Sequence, residues 1–309
     1  MNTQKRRILV IKLGALGDFI LATGPFAAIR TAHPDDEIVL LTSAPFAEMG
    51  RDCRLFDDVW IDERPSRINL TAIKRLRRRL LSGRFTRVYD LQTSGRSAWY
   101  SLLMLGTGRP QWSGVAFGAS HPHANHNRNN MHTIERQADQ LAMAGIPETP
   151  FPDLSWLSSE ISRFGLPDRY ALLIPGGAAH RPEKRWPVNA YRDLVQSISE
   201  RNILPVIVGG PDEVELAADI ESGLMAKSVA GETSFADIAE LSRKAAGAIG
   251  NDTGPMHIAA ICGCPCVVLF SKASNPDITA PRGANVTILQ RENLSDLGVS
   301  EVAAALTLR

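Results

Sequence analysis

Ile8-Leu9-Val10-Ile11-Lys12 runs directly into Leu13-Gly14-Ala15-Leu16-Gly17-Asp18, and apolar residues then recur at helical spacing through residue 30. The aliphatic run reads as a strand buried on both faces, and a glycine-punctuated turn that opens a helix makes it the first unit of a parallel α/β sheet. The cadence repeats. Strands are predicted over residues 38–41, 58–61 and 87–91, each followed by a helical stretch. Residues 116–131 break the pattern: they are polar, rich in His and Asn and without periodicity, and they read as a long mobile loop. Prolines cluster between residues 147 and 167 and mark a domain boundary. The pattern then restarts. Strands are predicted over 170–174, 203–208, 246–250 and 265–270, and helices over 188–200, from 213 and over 255–261. Pro187 opens the first of these helices in the favoured first-turn position. Two α/β halves follow, residues 1–150 and 151–309, with a last helix from Ser300 free to pack back on the first half.

Composition narrows the function. The chain has 309 residues, 44% hydrophobic and 22% charged, which excludes a disordered protein. Its 34 Lys and Arg against 33 Asp and Glu leave a net charge of +1, so no global field draws it to nucleic acid. Cys53 stands alone, and Cys262, Cys264 and Cys266 alternate along an apolar run, a poor layout for bridging one another. That run, about a dozen residues interrupted by Pro265, is too short to span a bilayer. No cleavage site follows the N-terminus. The expected location is the cytoplasm.

Open parallel sheets bind ligands outside the carboxyl ends of their strands, so the strand-end turns carry the candidates. The first, Lys12 to Asp18, has neither dinucleotide nor phosphate-loop glycine spacing. Its Asp18 reads as an N-cap carboxylate or as a general base at a strand end. The second, Pro175-Gly176-Gly177-Ala178-Ala179-His180, clears backbone N–H groups for an anion. Arg181, Lys184 and Arg185 then bring positive charge just ahead of a helix, with Trp186 as a packing anchor. The third, Gly250-Asn251-Asp252-Thr253-Gly254-Pro255-Met256-His257, offers the Thr253 hydroxyl and exposed N–H groups to a phosphate. A fourth, Gly209-Gly210-Pro211-Asp212-Glu213, offers a carboxylate either to ribose hydroxyls or to its own helix N-terminus. His121, His123, His126 and His132 fit no closed zinc spacing, and no metal is expected. Residues 73–87 hold seven basic side chains and no acidic one. Besides a solvated helix face, this is a patch suited to anionic lipid headgroups or an acidic acceptor.

Four motifs in this order resemble glycosyltransferase family 9, the heptosyltransferases of lipopolysaccharide core assembly. They are Leu16-Gly17-Asp18 with Pro25 beyond it, Lys184-Arg185-Trp186-Pro187, Gly209 to Glu213, and Asn251 to His257. The resemblance implies a GT-B fold, two Rossmann-like domains facing across a cleft, with acceptor bound by the first and nucleotide-sugar by the second. It implies inverting, metal-independent transfer of a sugar, heptose from an ADP-linked donor, onto a hydroxyl of a lipopolysaccharide core or other surface glycan, with no cofactor. Asp18 matches the family's general base and Lys184 its donor-phosphate lysine. Thr253 and Gly254 match the diphosphate turn, supported by Asp252 and His257, and Glu213 matches the ribose carboxylate. Gly176 and Gly177 would contribute backbone N–H groups to the donor, because the Ser or Thr common at that turn is missing. Gly17, Arg77 and Arg78 are the acceptor-side candidates. The implied partners are a nucleotide-sugar and an anionic glycolipid, with peripheral contact on the cytoplasmic face of the inner membrane and no nucleic acid. The competing readings are a GT-B sugar-nucleotide epimerase or hydrolase and a non-catalytic nucleotide-binding subunit. Retention of both Asp18 and Lys184 speaks against the last.

Overall fold

The computed structural model describes residues 5–66, 68–106, 108–177 and 181–309, so Ala178, Ala179 and His180 of the second turn lie outside the described residues. The chain divides into two compact units, Met1–Pro152 and Asp153–Arg309. The first contains, in order, β1 (Arg7–Ile11), α1 (Leu16–Leu21), α2 (Thr23–Ala32), β2 (Glu37–Thr42), α3 (Ala47–Asp52), β3 (Asp58–Ile61), α4 (Leu70–Ser82), β4 (Arg87–Asp90), α5 (Gly95–Leu103), β5 (Gln111–Gly114), β6 (His121–Pro122) and α6 (Thr133–Met143). The second contains β7 (Tyr170–Ile174), α7 (Val188–Ser199), β8 (Leu204–Ile207), α8 (Val214–Glu221), β9 (Lys227–Ser228), α9 (Phe235–Lys244), β10 (Gly247–Asn251), α10 (Gly254–Ile261), β11 (Cys266–Phe270), α11 (Pro276–Thr279), β12 (Val286–Gln290) and α12 (Val299–Ala305).

The sheets run β3-β2-β1-β4-β5-β6 and β12-β11-β10-β7-β8-β9, with every recorded pairing parallel. Within each unit the strands therefore lie in the order third, second, first, fourth, fifth, sixth. That is the Rossmann order, and it reverses direction between β1 and β4 and again between β7 and β10. The turns beyond these two strand pairs are where a ligand meets each sheet. Both central strands are apolar on both faces because helices cover both; all five residues of β7 are buried.

Local sequence explains where the elements depart from expectation. The helix predicted through residue 30 is two helices. Pro25 has no N–H to donate to Leu21, and the Thr23 hydroxyl takes the Ile20 carbonyl at 2.8 Å across the break. Residues 116–131 are not a structureless loop. The His123 N–H reaches Gly114 O at 2.9 Å and adds β6 to the sheet edge. The alternating histidines that suggested a loop are tied down instead: His121 to Arg87 at 2.9 Å and His123 to Asp139 at 2.8 Å. Of the cysteine cluster, Cys266 alone lies in a strand; all four thiols are free. The last helix belongs to its own unit: Val302, Ala303 and Leu306 enter the core that α7 builds with Tyr191, Leu194, Val195 and Ile198.

Candidate active site

In the first unit the turn after β1 is wired from both sides. Gly14 adopts φ +119°, and a Cβ there would stand 2.5 Å from the Phe46 ring. The glycine answers a backbone and packing demand. Leu13 donates its N–H to Gln92 Oε1 at 2.8 Å, and its carbonyl accepts from Ser43 Oγ at 2.5 Å and Arg64 Nη2 at 2.6 Å. Helix α1 starts at Leu16 behind Ala15, so Asp18 is its third residue and not an N-cap. The Asp18 side chain is half-buried, and no hydrogen bond or ion pair to its carboxylate is found among the described residues. The carboxylate is available.

Lys12, which directly follows β1, is 3% exposed, and its ammonium donates to Leu91 O at 3.3 Å. Burial holds the Lys12 pKa below the usual ammonium range, Asp18 and Asp90 act against that fall, and Arg136 adds to it. Arg128 is likewise held down by burial and by Arg136 beside it. The charges gathered around Lys12 thus come from α1, the end of β4 and α6. Gly17 shares the first turn of α1, but Arg77 and Arg78 do not join this group: they stand exposed on α4, while Leu76 and Leu80 face the core. Sequence periodicity could place those arginines outward, yet it could not show that Lys12 is the cation that feels the Asp18 carboxylate. His132 caps α6 through Nδ1, and among the described residues no group of three or more His, Cys, Asp or Glu is placed to hold a metal.

In the second unit the turns after β7, β8 and β10 converge. Lys184 Nζ meets Asp252 Oδ2 at 2.6 Å, joining the basic segment to the β10 turn. Arg185 Nη2 donates to Gly177 O at 2.6 Å, and Arg181 Nη2 reaches Ala273 O at 2.8 Å. Trp186 anchors the segment. It is buried, donates Nε1–H to Leu297 O at 3.0 Å and stands edge-on to Tyr191 with ring centroids 5.0 Å apart. Thr253 precedes α10 in extended conformation, and its hydroxyl makes no cap hydrogen bond, which leaves it free to donate to a ligand. Gly254 opens that helix, and His257 is buried within it. Glu213 divides its carboxylate: Oε2 accepts from Gly210 N at 2.7 Å, while Oε1 sits 2.9 Å from where a Gly176 Cβ would be. The helix N-terminus thus takes one oxygen, and the other lies beside the Gly176 turn. The N–H groups of Gly176 and Gly177 have no hydrogen-bond partner among the described residues.

One residue of the third turn has a place in the motif but no role that the sequence assigns. Asn251 ends β10 fully buried. Its Oδ1 accepts from Trp186 N at 3.1 Å and Tyr191 OH at 3.2 Å, and its Nδ2 donates to Pro175 O at 2.7 Å and Gly176 O at 3.1 Å.

Residues 73–303 match the family model for glycosyltransferase family 9 (heptosyltransferase). The chain belongs to this family. Among curated relatives, lipopolysaccharide heptosyltransferase 2 of Escherichia coli K12 is 22% identical over 315 residues, covering 92% of this chain and 88% of its own. Of solved structures, the family 9 glycosyl transferase from Veillonella parvula aligns with TM-score 0.83 at 21% identity, covering 99% of this chain and 97% of its own. E. coli ADP-heptose lps heptosyltransferase II aligns with TM-score 0.76 at 23% identity, covering 97% of each. The two Rossmann-like units are those of a GT-B fold, and the chain is a glycosyltransferase.

Proposed function

We propose that this glycosyltransferase moves heptose from an ADP-linked donor onto a hydroxyl of a lipopolysaccharide core acceptor, with donor held by the second unit and acceptor by the first. The observation that carries the donor assignment is the convergence of Lys184, Asp252, the uncommitted Thr253 hydroxyl and the Glu213 carboxylate on three neighbouring strand-end turns. The E. coli relative that shares this fold is an ADP-heptose lps heptosyltransferase.

In this reading Asp18 accepts the proton of the acceptor hydroxyl as that oxygen attacks the anomeric carbon from the face opposite the diphosphate. The bond to the diphosphate oxygen breaks with its electron pair, and configuration inverts. Charge growing on the departing ADP is met by the Lys184 ammonium, the Thr253 hydroxyl and the N–H groups at the start of α10. Groups already in place for charge that develops in the transition state are usually the largest contribution to rate. Asp252 keeps Lys184 in position from one side and leaves its remaining protons for phosphate. Glu213 Oε1 takes the ribose hydroxyls. Gly176 and Gly177 supply N–H groups, and His257 supports the β10 turn from within α10. The exposed face of α4 contacts anionic lipid where the acceptor is anchored. No helix among the described residues is long and apolar enough to cross a membrane.

The test pairs two variants with ADP calorimetry and a transfer assay. Asp18→Asn is expected to lose ~100- to 10,000-fold in turnover, the range of a general base, with ADP affinity unchanged. Lys184→Ala is expected to weaken ADP binding. Full turnover in Asp18→Asn removes the base assignment. Tight binding of UDP or GDP in place of ADP moves the donor to another nucleotide class.

A further inference from the structure

An asparagine amide can accept two hydrogen bonds at its oxygen and donate two from its nitrogen. Asn251 uses all four, and it spends them on three separate segments. The oxygen holds the backbone of Trp186 and the hydroxyl of Tyr191. The nitrogen holds the carbonyls of Pro175 and Gly176. The next carbonyl, Gly177 O, is taken by Arg185 at 2.6 Å. Three consecutive carbonyl oxygens after β7 are therefore drawn to side-chain donors, while the N–H groups of Gly176 and Gly177 are left without a partner among the described residues. A turn that receives an anion needs this arrangement: acceptors turned away, donors uncommitted. Trp186 lies two residues past Lys184, and Asp252 follows Asn251 directly, so the same amide also registers the Lys184–Asp252 pair against the glycine turn. The strands it joins are in close contact. Gly250, the residue before it, has Ile174 and Met256 at 2.8 Å from a built Cβ and admits no side chain.

We propose that Asn251 is the positioning residue of the donor site, holding the β7 turn, the Lys184 segment and the β10 turn as one preformed diphosphate surface. The inference rests on the nucleotide-sugar reading above. Asn251→Asp tests it because the substitution keeps the volume and the accepting oxygen while turning the donating nitrogen into a second acceptor that faces Pro175 O and Gly176 O. ADP affinity is measured by calorimetry from pH 5.5 to 8.5 for both proteins, with melting temperature recorded at each pH. At pH 8.5 the variant is expected to bind ADP at least tenfold more weakly, the loss of about 1.4 kcal/mol that one buried hydrogen bond accounts for. Burial favours the protonated carboxyl, which can donate again, so affinity recovers as the pH falls while wild type follows no such course. Equal ADP affinity in the two folded proteins at every pH overturns the proposal. Failure of wild type itself to bind ADP overturns the nucleotide reading instead. Should Asn251→Asp not fold, Tyr191→Phe decides. It removes one of the two donors to Oδ1 and is expected to weaken ADP binding about two- to fivefold in a protein that still folds; unchanged affinity in the folded variant overturns the proposal.

Discussion

Asp90 ends β4 beside Lys12, fully buried, and burial pushes its carboxyl up to about 7. Across the interval from its ordinary 3.8 to that value, the folded protein keeps a proton that the unfolded chain has released. Protons are then lost on unfolding, so this group makes stability fall as pH rises from about 4 to about 7 and stay level above. Asp90→Asn carries no such charge and keeps an oxygen for the Thr93 N–H that Asp90 Oδ1 now accepts at 3.0 Å. It is expected to equal wild type in stability near pH 4 and exceed it at pH 8, by up to about 4 kcal/mol if the whole shift is expressed. Urea denaturation at the two pH values reads the difference, and equal gaps at both would show that Asp90 does not titrate between them. At this scale the sequence was partly readable. Asp18, Lys184, Glu213 and Thr253 declare themselves because each stands where a strand gives way to a helix. Asn251 gave no such sign, since an asparagine at a strand end is ordinary turn chemistry, and only the fold shows that it reaches three segments. Lys12 stands in the first turn, but nothing in a linear pattern tells that its ammonium is buried and interacts with Asp18 and Asp90.

Helix α4 illustrates how much an element reveals by itself. Its 13 residues place Leu76 and Leu80 inward, as the 3.6-residue period requires, and Asn69 caps it by accepting from Ala72 N at 3.0 Å. The basic face is not uniform, however. Arg75 pairs with Glu63 at 2.6 Å and Arg79 lies over the Trp60 ring at 4.7 Å, while Arg77 and Arg78 point to solvent. If this face meets anionic lipid, as proposed, Arg77→Glu with Arg78→Glu should weaken sedimentation with phosphatidylglycerol vesicles by roughly 30-fold or more, taking about 1 kcal/mol per basic residue. The melting temperature should not move. Unaltered vesicle binding would return α4 to an ordinary solvated face. Long amphipathic helices and five-residue buried strands were legible from periodicity. The two-residue strands β6 and β9 were not, because two residues carry no period and their place is set by the neighbouring strand's free edge. The split between α1 and α2 was written in Pro25, but an apolar run on both sides concealed it.

For the molecule as a whole, the repeated strand order follows from alternating strands and helices with right-handed crossovers, so the fold class was readable early. What the pattern lacks is any statement of which side chains bridge one turn to the next, and those bridges make the site. They also allow a prediction at this scale. ADP at about 100 times its Kd should stabilise the folded protein by roughly 2.7 kcal/mol. The accompanying slowing of hydrogen exchange should concentrate in the turns after β7, β8 and β10. Protection spread evenly over both units, or confined to the first, would contradict a donor site built from the second.

Each sheet also ends in two outer strands, and these differ in character. β6 and β9 are two residues long, the first containing Pro122 and the second Lys227. Neither offers another chain a usable template, and β3, four residues long, opens on the exposed charge of Asp58. The β12 edge is different: five residues, Val286-Thr287-Ile288-Leu289-Gln290, uncharged and half-exposed along their length. In a concentrated solution, or during synthesis before the second unit has closed, β12 is where a foreign strand would add. Self-association by this protein is therefore a question about its final sheet edge, and a single lysine at Ile288 is the change that would close it.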